Sequence, residues 1–289
     1  MESVDKMNYD SPFTYIPGLK LELEAEVNDG MDISSLFSSG QFGRAESYIL
    51  DALYKYPFLN MECIRRYCDV VFEEHREKSF YRHRMKELLE LSLVQKATYG
   101  DQIFYYLSIF ARKQLKKKKG YDVFIPNEVD ESAVLEYASL GQWHIAMMEG
   151  ERNNLTQSTL YQERKLQKKS LLVPSYMSVK KGKYTYRIFS FSSPRGRENL
   201  VPYLTMIKDM WNEMSQYKKR GVVTLTVITV YSLREIYALR TVMDQYYKDY
   251  TNQVYFAVDG NTAAFGGLTC LYYFDKRDTS LLKVVDVKG

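Results

Sequence analysis

The sequence has few cysteines and no long apolar run. Its three cysteines, Cys63, Cys68 and Cys270, are odd in number and scattered, which predicts reduced thiols rather than a disulfide framework. No apolar stretch approaches the roughly 20 residues that cross a bilayer, and the N-terminus lacks the charged-then-apolar plan of a signal peptide. We therefore expect a globular protein of the cytoplasm with no membrane partner, whose 45% hydrophobic residues supply packed cores.

Other absences bear on catalysis and cofactors. The chain has 26 tyrosines but three histidines without a close pair, and strand-transferring tyrosines usually work beside two metal-binding histidines. The glycines between 260 and 267 lack the Gly-Lys-Ser or Gly-Lys-Thr ending of a phosphate-binding loop. On a helix, Cys63 and Cys68 would face away from each other, which argues against a zinc site shared with His75 and His83. We predict no metal and no cofactor.

What the sequence does contain is an ordered series of elements in segment 44–107. A first amphipathic helix stops at Pro57, a second follows Asn60 as its N-cap, and Ser79 can cap a third. Two β-rich runs come next, joined by a Thr-Tyr-Gly-Asp turn that is typical of a short hairpin. Helix, helix, helix and hairpin is the order of a winged helix-turn-helix, a unit that commonly binds duplex DNA.

The third predicted helix has one basic face. Lys78, Arg82 and Lys86 are four positions apart and so form a single stripe. In a winged helix the third helix enters the major groove, where Arg and Lys reach guanine edges or phosphates, and the wing contacts the neighbouring backbone. We predict double-stranded DNA as the partner of the stripe, its flanking side chains and the wing, with contacts from Lys78, Ser79, Arg82, His83, Arg84, Lys86, Lys96 and Tyr99.

Charge favours a DNA partner over a protein partner. Residues 41–120 carry 16 Lys and Arg against 10 Asp and Glu, a balance of +6. Many winged helices bind protein, however, so a pure interaction module and a transcriptional repressor both stay open. A lysine run is most often a solvated helix end, but this one could also track phosphates. It consists of Lys116, Lys117, Lys118 and Lys119.

The N-terminal region differs in composition from the rest. The first forty residues carry 8 acidic against 2 basic side chains, which predicts a mostly disordered arm over 1–40. Such an arm either keeps the chain in solution or folds over the basic face and weakens nonspecific DNA binding. Residues 41–120 would form the winged-helix domain, and 121–150 a linker with a bridging helix.

Residues 151–289 indicate a second domain of mixed α/β character. We predict a helix over Asn154–Lys168, two strands around a turn at 180–183, and a buried central strand at Val222–Val230. Helices alternate with the later strands, and a hairpin ends the chain. The expected fold is α+β, with a winged helix followed by a mixed sheet that helices flank.

The order and spacing of several segments carry a family resemblance over most of residues 44–260. These segments are Phe80–Val94, Tyr105–Leu107, Val173–Ser175, Phe189–Leu204 and Thr224–Arg240. The chain resembles the replication-relaxation family of bacterial plasmids and integrative conjugative elements, in which a winged helix precedes a domain similar to the restriction-endonuclease, or PD-(D/E)XK, fold. This resemblance implies a role in plasmid replication, its regulation or relaxosome assembly, with replication or transfer proteins as partners and a homodimer left open.

The resemblance also implies that the second domain has lost its chemistry. Nuclease-like members carry Pro-Asp at the start of the hairpin and an acidic residue near its end, because two carboxylates hold the metal that activates water. Here the proline is followed by Ser175, and Ser190 and Ser192 lie near the end of the second strand. We expect a noncatalytic protein. A metal-dependent nuclease using Asp259 and Asp286 is the alternative.

Overall fold

The computed structural model describes residues 11, 13–25, 31–73, 75–122, 124–125, 128–165, 170–194, 197–216, 221–246, 254–265, 268, 271–275 and 282–285. Helices and strands are mixed over these residues, and the larger sheet is itself mixed, as the sequence predicts. The chain divides into two compact units. We call Ile16–Gly141 the N-terminal unit, and Gln142–Gly289 together with Met1–Tyr15 the C-terminal unit. No helix in these described ranges is long and apolar enough to cross a bilayer.

Three central helices and a hairpin organise the N-terminal unit. Its elements are β1 (Glu22–Leu23), α1 (Ile33–Ser38), α2 (Arg44–Lys55), α3 (Met61–Phe72), α4 (Lys78–Glu90), β2 (Val94–Tyr99), β3 (Gln102–Leu107), α5 (Ile109–Lys119) and most of α6 (Glu131–Glu151). Helices α2, α3 and α4 pack on one another and bury Ile49, Leu53, Ile64, Met85 and Leu88.

Local capping signals place α3 and α4. The Asn60 side chain accepts a hydrogen bond from the backbone N–H of Cys63 at 2.8 Å, so the predicted cap of α3 is confirmed. The predicted cap of α4 is wrong. Glu77 has the extended backbone of an N-cap and the helix starts at Lys78, which places Ser79 inside the first turn.

The sheet of the N-terminal unit has the order β1-β2-β3, so β2 is its central strand. Strands β2 and β3 pair antiparallel around a two-residue turn, with Tyr99 opposite Gln102. Gly100 in that turn has a φ of 62°, a left-handed conformation that glycine adopts without steric cost.

The prediction of a disordered arm over residues 1–40 is wrong for the part that the structure describes. β1 pairs with β2, and Phe13, Ile33 and Leu36 are buried. The acidic composition predicts disorder, but an average over forty residues does not register a few apolar side chains. The burial of these side chains favours an ordered segment. Residues 1–10, 12 and 26–30 lie outside the described residues.

The C-terminal unit is built on a seven-stranded sheet of order β10-β9-β8-β7-β6-β5-β4. Strands β6, β7 and β8 are parallel and are connected by α7 and α8, and the other neighbouring strands pair antiparallel. Its elements are β4 (Leu155–Lys165), β5 (Ser170–Lys181), β6 (Tyr184–Ser192), α7 (Arg197–Gln216), β7 (Val222–Val230), α8 (Leu233–Tyr246), β8 (Val254–Val258), α9 (Asp259–Phe265), β9 (Leu271–Phe274) and β10 (Leu282–Val285).

Two apolar clusters lie on the sheet of this unit. Side chains of α7 and α8 contribute to one cluster, and Trp143 and Met147 of α6 contribute to the other. The helix predicted over Asn154–Lys168 is wrong, because this stretch forms β4 and pairs along its length with β5. Pairing with a strand that follows later in the chain outweighs the local preference of the segment.

Candidate nucleic-acid interface

The predicted basic stripe lies on the surface of α4. Tyr81, Met85 and Leu88 bury one side of the helix, which leaves the stripe residues exposed on the other. They are Lys78, Arg82 and Lys86. Lys86 forms a solvent-exposed ion pair with Glu90 at 3.7 Å. Exposed pairs of this kind contribute little to stability, so the ammonium group remains available to an anionic partner.

Arg82, in the middle of the stripe, acts electrostatically on the hairpin. Burial raises the pKa of Tyr105 in β3, the charge of Arg82 opposes that rise, and Glu24 adds to it. Tyr105 is the register partner of Lys96 in β2. We call Lys78, Arg82, Lys86 and Lys96 the basic face.

An acidic residue of the N-terminal segment is bound beside this face. The Glu24 carboxylate accepts a hydrogen bond from the backbone N–H of Lys96 at 2.9 Å. The backbone N–H of Glu24 in turn donates to the Lys96 carbonyl at 3.1 Å. Segment 22–24 therefore extends the β-sheet and places a negative charge next to the basic face.

Arg84 does not belong to the basic face, contrary to the prediction. Its guanidinium lies 3.3 Å from the carboxylate of Glu46 in α2 and 3.3 Å from that of Glu87. Glu46 is only 3% exposed, and its second oxygen accepts the backbone N–H of Gly43, the N-cap of α2, at 2.8 Å. Arg84 therefore compensates a buried charge and links α4 to α2.

Tyr99 was predicted to contact DNA from the wing, and this assignment is also wrong. Its side chain is buried, and its hydroxyl accepts from the Ile16 N–H at 2.7 Å and donates to the Ile16 carbonyl at 2.9 Å. Ala97 and Gln95, two and four positions earlier on β2, are buried as well. Strand periodicity was the signal that could have shown that Tyr99 faces inward.

The four lysines of the run differ in their surroundings because they lie on the last turn of α5. Lys116, Lys117 and Lys118 are exposed, and Lys116 also pairs with Asp122 at 3.3 Å. Lys119 binds the carboxylate of Asp51 in α2. The run therefore presents three exposed cations, one of them in an ion pair, and uses Lys119 inside the unit.

Asp51 explains why Lys119 is held there. Burial works to raise the pKa of Asp51, but Lys55, Lys119 and Tyr67 together hold that pKa below its ordinary value. Lys55 lies 3.2 Å from the carboxylate, and the Tyr67 hydroxyl donates to it at 2.5 Å. The cluster is a structural ion-pair network within the N-terminal unit.

The remaining predicted contacts lie at the surface of α4. The Ser79 hydroxyl is exposed, 3.4 Å from the Glu77 carboxylate. His83 is exposed as well, with its Nε2 3.5 Å from Glu87. Both flank the stripe as the helical spacing predicts.

In the C-terminal unit the two serines expected at vacated carboxylate positions lie side by side. Ser175 of β5 is the register partner of Ser190 of β6, and both are fully buried. His144 of α6 places Nε2 2.7 Å from the Ser175 hydroxyl and Nδ1 2.6 Å from that of Ser158. Burial lowers the pKa of His144 to about 3, so its imidazole is neutral at physiological pH.

The sequence reasoning passed over His144, although its position in the apolar run 143–147 of a helix was a signal of burial. A neutral imidazole has one N–H and one acceptor nitrogen, so it can donate to one serine and accept from the other. Ser192, the third serine that the resemblance predicts in place of a carboxylate, is buried too.

Of the two carboxylates of the alternative metal site, the structure describes Asp259. Asp259 begins α9 and is buried, and its carboxylate accepts a hydrogen bond from the Ser11 hydroxyl at 3.3 Å. The Asp259 carbonyl accepts from the Gln142 side chain at 2.8 Å. Asp286 lies outside the described residues. Within the described ranges, no three His, Cys, Asp or Glu side chains cluster in a way that could hold a metal ion.

Comparison with known proteins gives no family and no curated relative for the chain, since no protein-family model matches it and no curated protein does. Two sets of side chains are the candidates for function, the basic face of the N-terminal unit and the buried serine–histidine cluster of the C-terminal unit.

Proposed function

We propose that this chain is a noncatalytic, sequence-preferring double-stranded DNA-binding protein whose N-terminal unit acts as a winged helix. The observation that carries the proposal is the basic face itself, three cations at four-residue spacing on the exposed side of α4 with a β-hairpin next to it. A helix of this kind fits the major groove, and the hairpin is then beside the adjacent backbone.

The local geometry divides the proposed DNA contacts into two classes. Arg82 lies in the middle of the stripe and has the planar fork that recognises guanine, so we assign it to base contacts. Lys78, Lys86 and Lys96 are assigned to phosphates near it. Lys117 and Lys118 are assigned to phosphates farther along the duplex.

The C-terminal unit is proposed to be a nuclease-like domain without nuclease activity. Three consecutive antiparallel strands, followed by a helix and a parallel strand, are compatible with the PD-(D/E)XK fold that the resemblance implies. Ser175 and Ser190 supply neutral hydroxyls, which are weak ligands for a hard cation, where an active site would need carboxylates. The resemblance also supplies the biological setting, plasmid replication or transfer, with a partner protein of that machinery.

The test is fluorescence anisotropy of the full chain with origin, transfer-origin and promoter duplexes against scrambled DNA, in magnesium over a salt series, with product lengths checked afterwards. We expect selective binding and intact DNA. Arg82→Ala should weaken the preferred duplex about 5- to 150-fold and scrambled DNA less, because one bidentate base contact contributes roughly 1–3 kcal/mol of discrimination.

A lysine variant provides the matched comparison. Lys117→Gln combined with Lys118→Gln should weaken both duplexes alike and reduce the slope of log affinity against log salt by about two. Absence of binding at low salt would make the N-terminal unit a protein-interaction module, and cleavage would refute the noncatalytic assignment.

A further inference from the structure

The end of the β5–β6 hairpin carries an exposed cationic and aromatic surface in the C-terminal unit. Lys181 and Tyr184 are register partners across a two-residue turn in which Gly182 has a φ of 56°. Lys180 and Lys183 are exposed, and Tyr184 retains 41% of its accessible surface. Segment 180–187 contains four cationic side chains and no carboxylate.

The side chains at this end are arranged around the Tyr184 ring. The Lys183 ammonium lies 5.3 Å from the centroid of that ring, and the ring of Tyr186 lies 6.5 Å away. Tyr186 packs against the apolar cluster that Trp143 and Met147 help to form, so it supports the exposed ring from the protein side.

The charge of this surface is only partly compensated. Lys181 binds the buried carboxylate of Glu151 at 2.6 Å, so this acidic group at the end of α6 is already engaged. Lys180 and Lys183 add positive charge on either side of the turn. The surface therefore suits a polyanion that also presents flat, apolar groups.

We propose that the end of the β5–β6 hairpin is a second nucleic-acid contact, and that it binds single strands by stacking a base on Tyr184 while Lys180 and Lys183 contact the backbone. Exposed aromatic rings beside cations are the means by which proteins bind single strands without base-specific hydrogen bonds. In a duplex the base faces are covered by their neighbours, so the Tyr184 ring discriminates in favour of unpaired strands. The proposal does not depend on the function proposed for the basic face, since it concerns the other unit.

The experiment measures anisotropy of a labelled 12-nucleotide single strand of mixed sequence, as DNA and as RNA, with the full chain. Tyr184→Ala should weaken binding about tenfold, in line with the roughly 1–3 kcal/mol that one stacked base contributes. Tyr184→Phe should retain binding, because it keeps the ring. Lys183→Gln should reduce the salt slope by about 0.7.

Tyr237→Ala is the matched control. Tyr237 lies on α8, is 46% exposed, and has its ring 6.1 Å from that of Phe274. Its replacement should leave single-strand affinity unchanged. Equal losses from Tyr184→Ala and Tyr237→Ala, or no binding of single strands at 50 mM salt, would refute the proposal.

Arg82→Ala separates this inference from the function proposed for the N-terminal unit. We expect it to weaken duplex binding and to leave single-strand binding intact. If Arg82→Ala abolishes single-strand binding while Tyr184→Ala does not, single strands bind the basic face and the hairpin assignment is wrong. If duplex binding fails and Tyr184-dependent single-strand binding persists, only the function proposed for the basic face is refuted.

Discussion

Two arginines that lie two positions apart on α4 should respond in opposite ways to replacement by alanine. Arg82 is exposed on the basic face, whereas Arg84 lies 3.3 Å from the buried carboxylate of Glu46. Arg82→Ala should therefore lower DNA affinity and leave stability within about 0.5 kcal/mol of the parent. Arg84→Ala should destabilise the N-terminal unit and leave the affinity of the folded protein unchanged.

The loss of stability expected for Arg84→Ala follows from the environment in which it leaves the Glu46 carboxylate. Glu46 keeps one hydrogen bond, from the backbone of Gly43, but its other oxygen is buried without a hydrogen bond and would also lose its ion pair with Arg84. Leaving a buried polar group unsatisfied costs about 1–3 kcal/mol, and a charged group costs more. For a unit of this size a loss of about 1–3 kcal/mol corresponds to a decrease in Tm of roughly 3–12 °C, so we expect at least a decrease in that range.

Thermal unfolding followed by circular dichroism gives the stability, and duplex anisotropy at a temperature where both variants are folded gives the affinity. Glu46→Gln in the Arg84→Ala background should recover part of the lost Tm, because a neutral amide replaces the uncompensated charge and still accepts the Gly43 N–H. The reasoning fails if Arg84→Ala leaves Tm unchanged and weakens DNA binding as much as Arg82→Ala does.

Three further predictions concern other contacts. The pKa of His144 is lowered to about 3 from an ordinary value of about 6.5, so only the unfolded chain takes up this proton between the two values. The stability that the neutral His144 contributes is complete above pH 6.5 and is lost as pH falls. The free energy of unfolding in urea should therefore decrease by about 2 kcal/mol from pH 7 to pH 5, relative to that of His144→Asn. Parallel pH profiles of stability for the two proteins would contradict this. Tyr99→Phe removes both hydrogen bonds to Ile16 and should cost about 1–3 kcal/mol, with faster hydrogen exchange in segment 16–25; unchanged exchange there would contradict the assignment. Glu24→Gln should strengthen binding of scrambled duplex about twofold at low salt and leave it unchanged at about 0.5 M salt. The reason is that a charge about 10 Å from a phosphate contributes roughly 0.4 kcal/mol in water and is screened by salt. An equal gain from Glu128→Gln would show an effect of net charge alone.

The sequence was informative where structure depends on neighbours along the chain. Pro57 and Asn60 delimit α2 and α3, the four-residue spacing identifies the exposed stripe of α4, and a turn containing Gly100 defines the hairpin. Each of these signals acts within a few residues and is readable without knowing what else is nearby.

The mistaken assignments share a different cause. Tyr99 is bound by Ile16, which is 83 positions away, and Arg84 is bound by Glu46 on another helix. Segment 155–165 is a strand because β5 follows it in the fold. Tyrosine and arginine side chains also occur on DNA-contacting surfaces, and a segment such as 155–165 can also form a helix. In each case only the partner that is distant in sequence decides the role.

The short strand β1 also has a consequence for association between molecules. It covers the edge of β2, while the Leu59 carbonyl accepts the Tyr105 N–H on the free side of β3. Open strand edges pair readily with other chains. A protein shortened to begin after Ala25 would expose the backbone groups of segment 96–98, and we expect it to self-associate with rising concentration. Segment 22–24 thus shields this edge of the sheet from pairing with another molecule.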